Sequence, residues 1–169
     1  MKTYGLIGKS LSHSFSKKYF TEKFDNQGFT DSEYINIEIK SIEEFSQRIE
    51  ELSPLGLNVT IPYKEAIFPY LDELDEVAKE IGAVNTIVFK NGNLKGYNTD
   101  AFGFHQSIKP FFKSQHERAL ILGTGGASKA VEYVLKQYGV DVLFASRSET
   151  KDNILNWNDI NENVIKHHL

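Results

Sequence analysis

A glycine-rich turn lies in the segment ALILGTGGASKA, residues 119–130. Gly123, Gly125 and Gly126 follow an apolar run and precede a helical pattern, which predicts a strand, a tight turn and a helix. Because glycine lacks a Cβ, a pyrophosphate can approach the backbone N–H groups at the start of such a helix. We therefore predict a dinucleotide site, with a purely structural turn as the alternative. The predicted cofactor-binding residues of this turn are Gly123, Thr124, Gly125, Gly126, Ala127 and Ser128.

The next apolar run, VLFASRS, ends in Ser146, Arg147 and Ser148. Sites for NAD place a carboxylate here, which accepts a hydrogen bond from the ribose 2′-hydroxyl. A guanidinium with flanking hydroxyl groups suits a 2′-phosphate instead. We therefore predict that these three residues bind NADP (as NADPH in the reduced form). Since Glu149 is the nearest acid, NAD is the alternative.

A lysine follows the end of another apolar run, in the segment NVTIPYK, residues 58–64. Pro62 has no N–H to offer to a sheet ladder, so the strand is expected to stop there. The carboxyl edge of an open α/β sheet is where such sheets bind ligands, and Lys64 and Thr60 both lie near it. Taken alone, however, Lys64 could also be a solvated lysine at the start of a helix.

Strand and helix patterns alternate through the first hundred residues. They predict an α/β fold with a mostly parallel sheet, helices on both faces and one antiparallel excursion at the hairpin signal Asn91-Gly92. The predicted strands are residues 3–8, 33–39 and 55–61. The predicted helices are residues 16–28, 41–52 and 64–82, the last of them interrupted near Pro69. In the first helix, Phe15, Tyr19, Phe20 and Phe24 have the spacing of one apolar face.

A second unit is predicted after Asp100. It opens with a helix and continues through the glycine turn to the strand that ends near Ser146. The last twenty residues are polar and weakly periodic, so only two strands of a Rossmann half-unit are predicted, although such a half-unit needs three. We expect an unpaired sheet edge, with the residues after about 149 the most mobile. The predicted domains are 1–100, which binds substrate, and 101–169, an incomplete Rossmann-type domain that binds NADP.

The composition excludes several classes of function. The chain has 169 residues, a net charge of −4 and no cysteine. No basic face for nucleic acid or anionic lipid is implied, and no disulfide framework can form. No signal peptide or membrane span is visible, so we expect a cytoplasmic protein. We further expect a monomer or a homodimer. No metal site is predicted, and His13 and His105 are interpreted as structural.

Five motifs together resemble the shikimate dehydrogenase family. They are LSHSFS, NVTIPYK, GAVNTI, GYNTDAFG and LGTGGAS, and the resemblance runs from about residue 4 to residue 148. It implies a two-domain oxidoreductase with its active site between an N-terminal substrate domain and a Rossmann domain for NADP. The implied reaction is the reversible NADPH-dependent reduction of 3-dehydroshikimate to shikimate, a step towards chorismate and the aromatic amino acids.

The resemblance also implies roles for individual residues. Ser14 and Ser16 would hydrogen-bond the substrate carboxylate, and Thr60, Asn85 and Asp100 would hold its ring hydroxyls. Lys64 would bind substrate and exchange a proton with it, and Asp100 would hold the ammonium in place, so the implied catalytic residues are Lys64 and Asp100. In isolation each of these residues also has a structural explanation, such as a helix cap.

The chain departs from the family pattern in three respects, the first of which is that Ser146, Arg147 and Ser148 stand where Asn-Arg-Thr is more usual. Lys17 stands where the family usually has proline. The resemblance also indicates C-terminal truncation, because further Rossmann strands and a helix that returns to the substrate domain are not among these residues. We therefore expect negligible dehydrogenase activity from the 169 residues alone, and weak shikimate binding, if any. The alternatives are a quinate/shikimate dehydrogenase that accepts NAD and a non-catalytic shikimate-binding module.

Overall fold

A computed structural model describes residues 1–148 and 151–168 of the chain. The chain divides into two compact units, Met1–Asn98 and Thr99–Leu169. Within the described residues, no helix is both long enough and apolar enough to cross a membrane.

The first unit is built on a six-stranded mixed sheet. Its strands are β1 (Lys2–Gly8), β2 (Ser32–Glu38), β3 (Gly56–Val59), β4 (Glu73–Leu74), β5 (Thr86–Lys90) and β6 (Asn93–Tyr97). Their order is β2-β1-β3-β5-β6-β4. The pairs β1–β2, β1–β3 and β4–β6 are parallel, whereas β5 is antiparallel to both β3 and β6. The predicted mostly parallel sheet with one antiparallel excursion is confirmed.

The reversal of β5 follows from the predicted hairpin. Asn91 and Gly92 have φ values of 54° and 82°, the left-handed pair that a two-residue type I′ turn requires. Because β5 runs backwards, its first residue lies at the sheet edge where the parallel strands end, and Thr86 pairs with Asn58. This edge carries the candidate site.

Helices cover both faces of this sheet, as the sequence predicts. They are α1 (Ser16–Asn26), α2 (Phe45–Leu52), α3 (Tyr63–Ala66) and α4 (Glu76–Ile81). The alternation of β1 sends Ile7 into a large core with Phe45 and sends Leu6 into a smaller core beneath Phe20 of α1. Phe15 was predicted to join that apolar face, but it is 69% exposed and lies outside the smaller core.

Residues 64–82 are interrupted at Pro69, as the sequence predicts, but they contain less helix than the pattern indicates. Helix α3 is followed by a 3₁₀ turn at Phe68–Tyr70, which has Pro69 in its first turn, and then by the short strand β4. Strand β4 pairs with β6 at Lys95 and Gly96. A Cβ at Gly96 would lie 2.6 Å from Cδ1 of Leu71, so the glycine allows this segment to pack closely.

The second unit contains one strand more than the sequence predicts. Its elements are α5 (Asp100–Ile108), β7 (Arg118–Leu122), α6 (Gly126–Gln137), β8 (Asp141–Ser146), β9 (Ile154–Asn156) and α7 (Glu162–Lys166). The three strands are parallel in the order β7-β8-β9. The predicted two-stranded remnant with an open edge beside β8 is therefore wrong. Ile154 and Leu155 pair with Phe144 and Ala145, and this short apolar pair was hidden in a polar segment.

Candidate functional site

Thr60 and Asn85 lie side by side at the carboxyl edge of the first sheet. Thr60 directly follows β3, and its backbone N–H donates to the Ile7 carbonyl at 3.0 Å. Asn85 directly precedes β5, and its carbonyl accepts from the Val59 N–H at 2.8 Å. Asn85 is buried and Thr60 is half-buried. The sheet therefore fixes the backbone of both residues on neighbouring strands.

Lys64 is held close to the same edge by the first turn of α3. Tyr63 and Ile67 are buried in the large core, and the Tyr63 hydroxyl donates to the Ile39 carbonyl at 2.8 Å. The Lys64 carbonyl accepts from the Val84 N–H at 2.7 Å, which ties its backbone to the residue before Asn85. Lys64 itself is half-buried. The core thus anchors the turn that presents this lysine.

Ser14 and Ser16 lie where the loop after β1 enters α1. The Ser14 N–H donates to the Leu11 carbonyl at 2.9 Å, and the Ser14 hydroxyl oxygen accepts from the Ser16 N–H at 3.2 Å. Ser14 thus accepts from the first N–H of α1, although the N-cap residue of this helix is Phe15 and not Ser14. This hydrogen bond leaves the hydroxyl hydrogen of Ser14 able to donate, since a hydroxyl both accepts and donates.

A chain of polar side chains links Ser16 to Asn85 beneath α1. The Tyr34 hydroxyl donates to Asn58 Oδ1 at 2.8 Å, and Asn58 Nδ2 donates to Thr86 Oγ1 at 3.2 Å. The Thr86 hydroxyl donates in turn to Asn85 Oδ1 at 2.9 Å. Burial raises the pKa of Tyr34, and its hydrogen bond with Ser16 offsets this only in part. Tyr34 therefore keeps its proton at neutral pH and remains a donor.

Sequence reasoning did not single out Tyr34, Asn58 or Thr86. A signal for Asn58 was present, because it lies two residues before Thr60 and the side chains of a strand share a face at that spacing. The other two residues can be recognised only from the pairing of the strands.

Asp100 belongs to the second unit, where it is the first residue of α5 and half-buried. A carboxylate in the first turn of a helix is favoured by the helix dipole, so this position has a structural explanation. The role beside Lys64 that the resemblance implies for Asp100 stays a prediction.

The glycine turn has the predicted strand–turn–helix form. Gly123 follows β7 with φ +121°, a conformation that side-chain-bearing residues rarely adopt, and its N–H donates to the Ala145 carbonyl at 2.9 Å. Gly125 caps α6, which begins at Gly126 and runs for 12 residues. The N–H groups of the first turn have no acceptor within the helix, so they can receive an anionic group.

The predicted 2′-phosphate residues lie at the end of β8. Ser146 is buried, and its hydroxyl oxygen accepts from the Ser148 N–H at 3.3 Å, whereas Arg147 and Ser148 are exposed. Since β7 and β8 are parallel and Leu122 pairs with Ala145, Arg147 lies at the same sheet edge as Gly123. Glu149, the acid that would favour NAD, lies outside the described residues.

In the part of the chain that the structure describes, no group of three acidic or histidine side chains could hold a metal ion.

Comparison with known proteins shows which family the chain resembles. Residues 6–87 match the shikimate dehydrogenase substrate binding domain. Over the residues that match, the chain is similar to the shikimate dehydrogenase family. The shikimate dehydrogenase (NADP(+)) of Pyrococcus abyssi is 40% identical over 151 residues, which are 89% of this chain and 56% of that protein. The chain thus spans about half the length of the curated relatives that it matches.

Solved structures of the family resemble both units. Shikimate dehydrogenase 1 from Peptoclostridium difficile matches with a TM-score of 0.84 and 39% identity, over 94% of this chain and 62% of that one. Shikimate 5-dehydrogenase from Thermus thermophilus, in complex with NADP(H) and shikimate, matches with a TM-score of 0.76 and 33% identity. That match covers 88% of this chain and 57% of the Thermus chain.

Proposed function

We propose that the protein acts as an NADP-dependent shikimate dehydrogenase, in which the first unit binds shikimate or 3-dehydroshikimate and the second binds NADP. One observation carries the proposal: Thr60, Lys64 and Asn85 are fixed together at one edge of the first sheet, with Ser16 linked to Asn85 through Tyr34 and Asn58. The similarity to shikimate dehydrogenases over most of the chain supports the same assignment.

The side chains at this edge match the chemistry of shikimate, which is a small anion with several hydroxyl groups. The hydroxyls of Ser14 and Ser16 can donate to its carboxylate. Thr60 and Asn85 can each donate to or accept from a ring hydroxyl. A site that is built to hydrogen-bond hydroxyl groups rejects analogues that lack them, because its own polar groups would then stay unpaired.

In this proposal Lys64 is the proton-transfer group. During reduction, the ammonium donates a proton to the substrate oxygen as the carbonyl becomes a hydroxyl, and the neutral amine takes that proton back in the oxidation. Asp100 is proposed to hold the ammonium and to accept from a substrate hydroxyl. The nicotinamide, when bound, supplies the hydride chemistry.

For the cofactor, the residues of the second unit fit a dinucleotide phosphate. The first-turn N–H groups of α6 suit the pyrophosphate, and Gly123 and Gly125 keep side chains out of its approach. The exposed Arg147, flanked by Ser146 and Ser148, suits the 2′-phosphate.

Calorimetric titration of the 169-residue chain tests the substrate half of the proposal. We expect shikimate to bind and benzoate, a carboxylate without ring hydroxyls, to bind at least about tenfold more weakly. No binding of shikimate, or equal binding of the two, would contradict the assignment of the site.

The same titration with NADP⁺ and NAD⁺ tests the cofactor half. We expect NADP⁺ to bind more tightly, because only NADP⁺ offers a phosphate to Arg147. The reverse preference would favour the NAD-accepting quinate/shikimate dehydrogenase. Shikimate binding without binding of either dinucleotide would favour the non-catalytic module.

A further inference from the structure

The loop that carries Ser14 is tied to the end of a neighbouring strand by a carboxylate. The Leu11 N–H donates to Glu38 Oε1 at 2.6 Å, and Glu38 is the last residue of β2. Glu38 pairs with Gly8, the last residue of β1, where the loop begins. The carboxylate therefore lies beside the point at which the chain leaves the sheet.

Leu11 connects this carboxylate to the two serines. Its side chain is 3% exposed and packs with Leu6 and Tyr34 in the smaller core. Its carbonyl accepts from the Ser14 N–H at 2.9 Å, and the Ser14 hydroxyl accepts from the Ser16 N–H at 3.2 Å. One series of hydrogen bonds thus runs from Glu38 through Leu11 and Ser14 to the start of α1.

Gly8 allows Leu11 to sit this close to the strand. A Cβ at Gly8 would lie 2.7 Å from Leu11 Cδ2 and 2.7 Å from Thr60 Cγ2. The loop and Thr60 therefore pack against the same backbone position. A shift of the loop would change the packing on both sides of the candidate site.

The charge of Glu38 needs an explanation, because Glu38 and Ser14 line the same cavity of about 540 Å³. A carboxylate beside a site for an anion weakens binding through like-charge repulsion. Lys18, which also lines the cavity, lies 3.9 Å from Glu22. The Glu38 carboxylate accepts the short hydrogen bond from the Leu11 N–H, and a charged acceptor makes such a bond stronger than a neutral one does.

We propose that Glu38 is a positioning residue for substrate recognition: its carboxylate fixes the loop so that Ser14 presents its hydroxyl hydrogen to the substrate carboxylate. This inference rests on the proposed function, since it takes shikimate as the ligand. Glu38 acts through Leu11 and touches no reacting atom.

Two substitutions separate the geometry of Glu38 from its charge. Glu38→Ala leaves the Leu11 N–H without its acceptor, so the loop loosens and the affinity for shikimate falls on the order of tenfold. Glu38→Gln keeps an oxygen acceptor and removes the negative charge, so the affinity stays equal or rises. A residue with only a general structural role would not give this split between the two variants.

Amide hydrogen exchange and shikimate titration, both followed by NMR on the 169-residue chain, test the proposal. We expect exchange at Leu11 and Ser14 to be at least about tenfold faster in Glu38→Ala than in the wild type or Glu38→Gln. Glu33→Ala is the matched control, since Glu33 also lies on β2 and accepts from the Thr3 hydroxyl at 2.9 Å. It should leave the exchange of the loop and the affinity unchanged.

The outcomes distinguish the two proposals. A wild type that binds shikimate, together with a Glu38→Ala variant of unchanged affinity or unchanged loop exchange, would overturn the role of Glu38 and leave the proposed function standing. A wild type that does not bind shikimate would overturn the proposed function and, with it, the role given to Glu38. If Glu38→Ala fails to fold, Glu38→Asp, which withdraws the acceptor by one methylene, should show the same loss in milder form.

Discussion

The candidate binding groups of the two units belong to different parts of the chain. In the first unit, the candidate groups are side chains held by hydrogen bonds, such as Thr86 to Asn85 at 2.9 Å and Tyr34 to Asn58 at 2.8 Å. In the second, they are the backbone N–H groups of α6 and the exposed side chain of Arg147. Each hydroxyl group on a ring needs its own hydrogen-bonding side chain. A pyrophosphate can instead be bound by backbone N–H groups wherever the chain turns sharply enough.

The largest effect is expected at Lys64. We predict that Lys64→Ala lowers kcat by about 10²–10⁴-fold, the range for loss of a proton-transfer group, while the affinity for shikimate changes far less. The assay is NADPH formation by a polypeptide in which the C-terminal remainder of the Pyrococcus abyssi relative follows this chain. Lys90→Ala, at the end of β5, serves as the control and should keep the wild-type rate. Unchanged turnover in Lys64→Ala would show that the proton moves elsewhere.

The sequence predicted those elements of the fold that are determined by residues adjacent in the chain. The hairpin at Asn91-Gly92 follows from two left-handed residues, and the glycine turn follows from an apolar run and a helix on either side. Strands β4 and β9 were not predicted. They are two and three residues long, and each is defined by a partner strand rather than by its own pattern.

In the candidate site, too, contacts between residues that are distant in the chain could not be predicted. The motifs around Ser14, Thr60, Lys64 and Asn85 identified a set of residues, and the structure shows how the sheet edge places them. Glu38 could not be found in this way, because its partner Leu11 is 27 residues away in the chain and the contact is made through a backbone N–H. Hydrogen bonds of this kind leave no signal in the sequence.

A smaller effect, confined to one cofactor, is expected in the second unit. Arg147→Ala should weaken NADP⁺ binding by about tenfold or more, since a charge-assisted hydrogen bond to the 2′-phosphate is lost, and should leave NAD⁺ binding nearly unchanged. Calorimetry with both dinucleotides measures this difference. Arg118→Ala, at the other end of β7, is the matched control. Equal losses with both cofactors would make Arg147 a structural residue and would strengthen the NAD alternative.

The smallest effect is a dependence of stability on pH in the first unit. Burial raises the pKa of Tyr34 above that of the unfolded chain, which is about 10. Above that pH the unfolded chain loses the phenol proton while the folded chain keeps it, so the free energy of unfolding falls as the pH rises. Urea unfolding between about pH 9 and pH 11 measures the decline. In Tyr34→Phe the decline should be shallower, and an identical slope would contradict this account of Tyr34.

Mapping both ligands onto the backbone amides tests most directly whether substrate binds to the first unit and cofactor to the second. In NMR titrations of the 169-residue chain, we predict that shikimate shifts the amide signals of Ser14, Thr60 and Lys64, whereas NADP⁺ shifts those of Gly125, Ala127 and Arg147. Shikimate shifts that fall only in the second unit, or one shared set of signals that moves with both ligands, would contradict the assignment of substrate to the first unit and cofactor to the second.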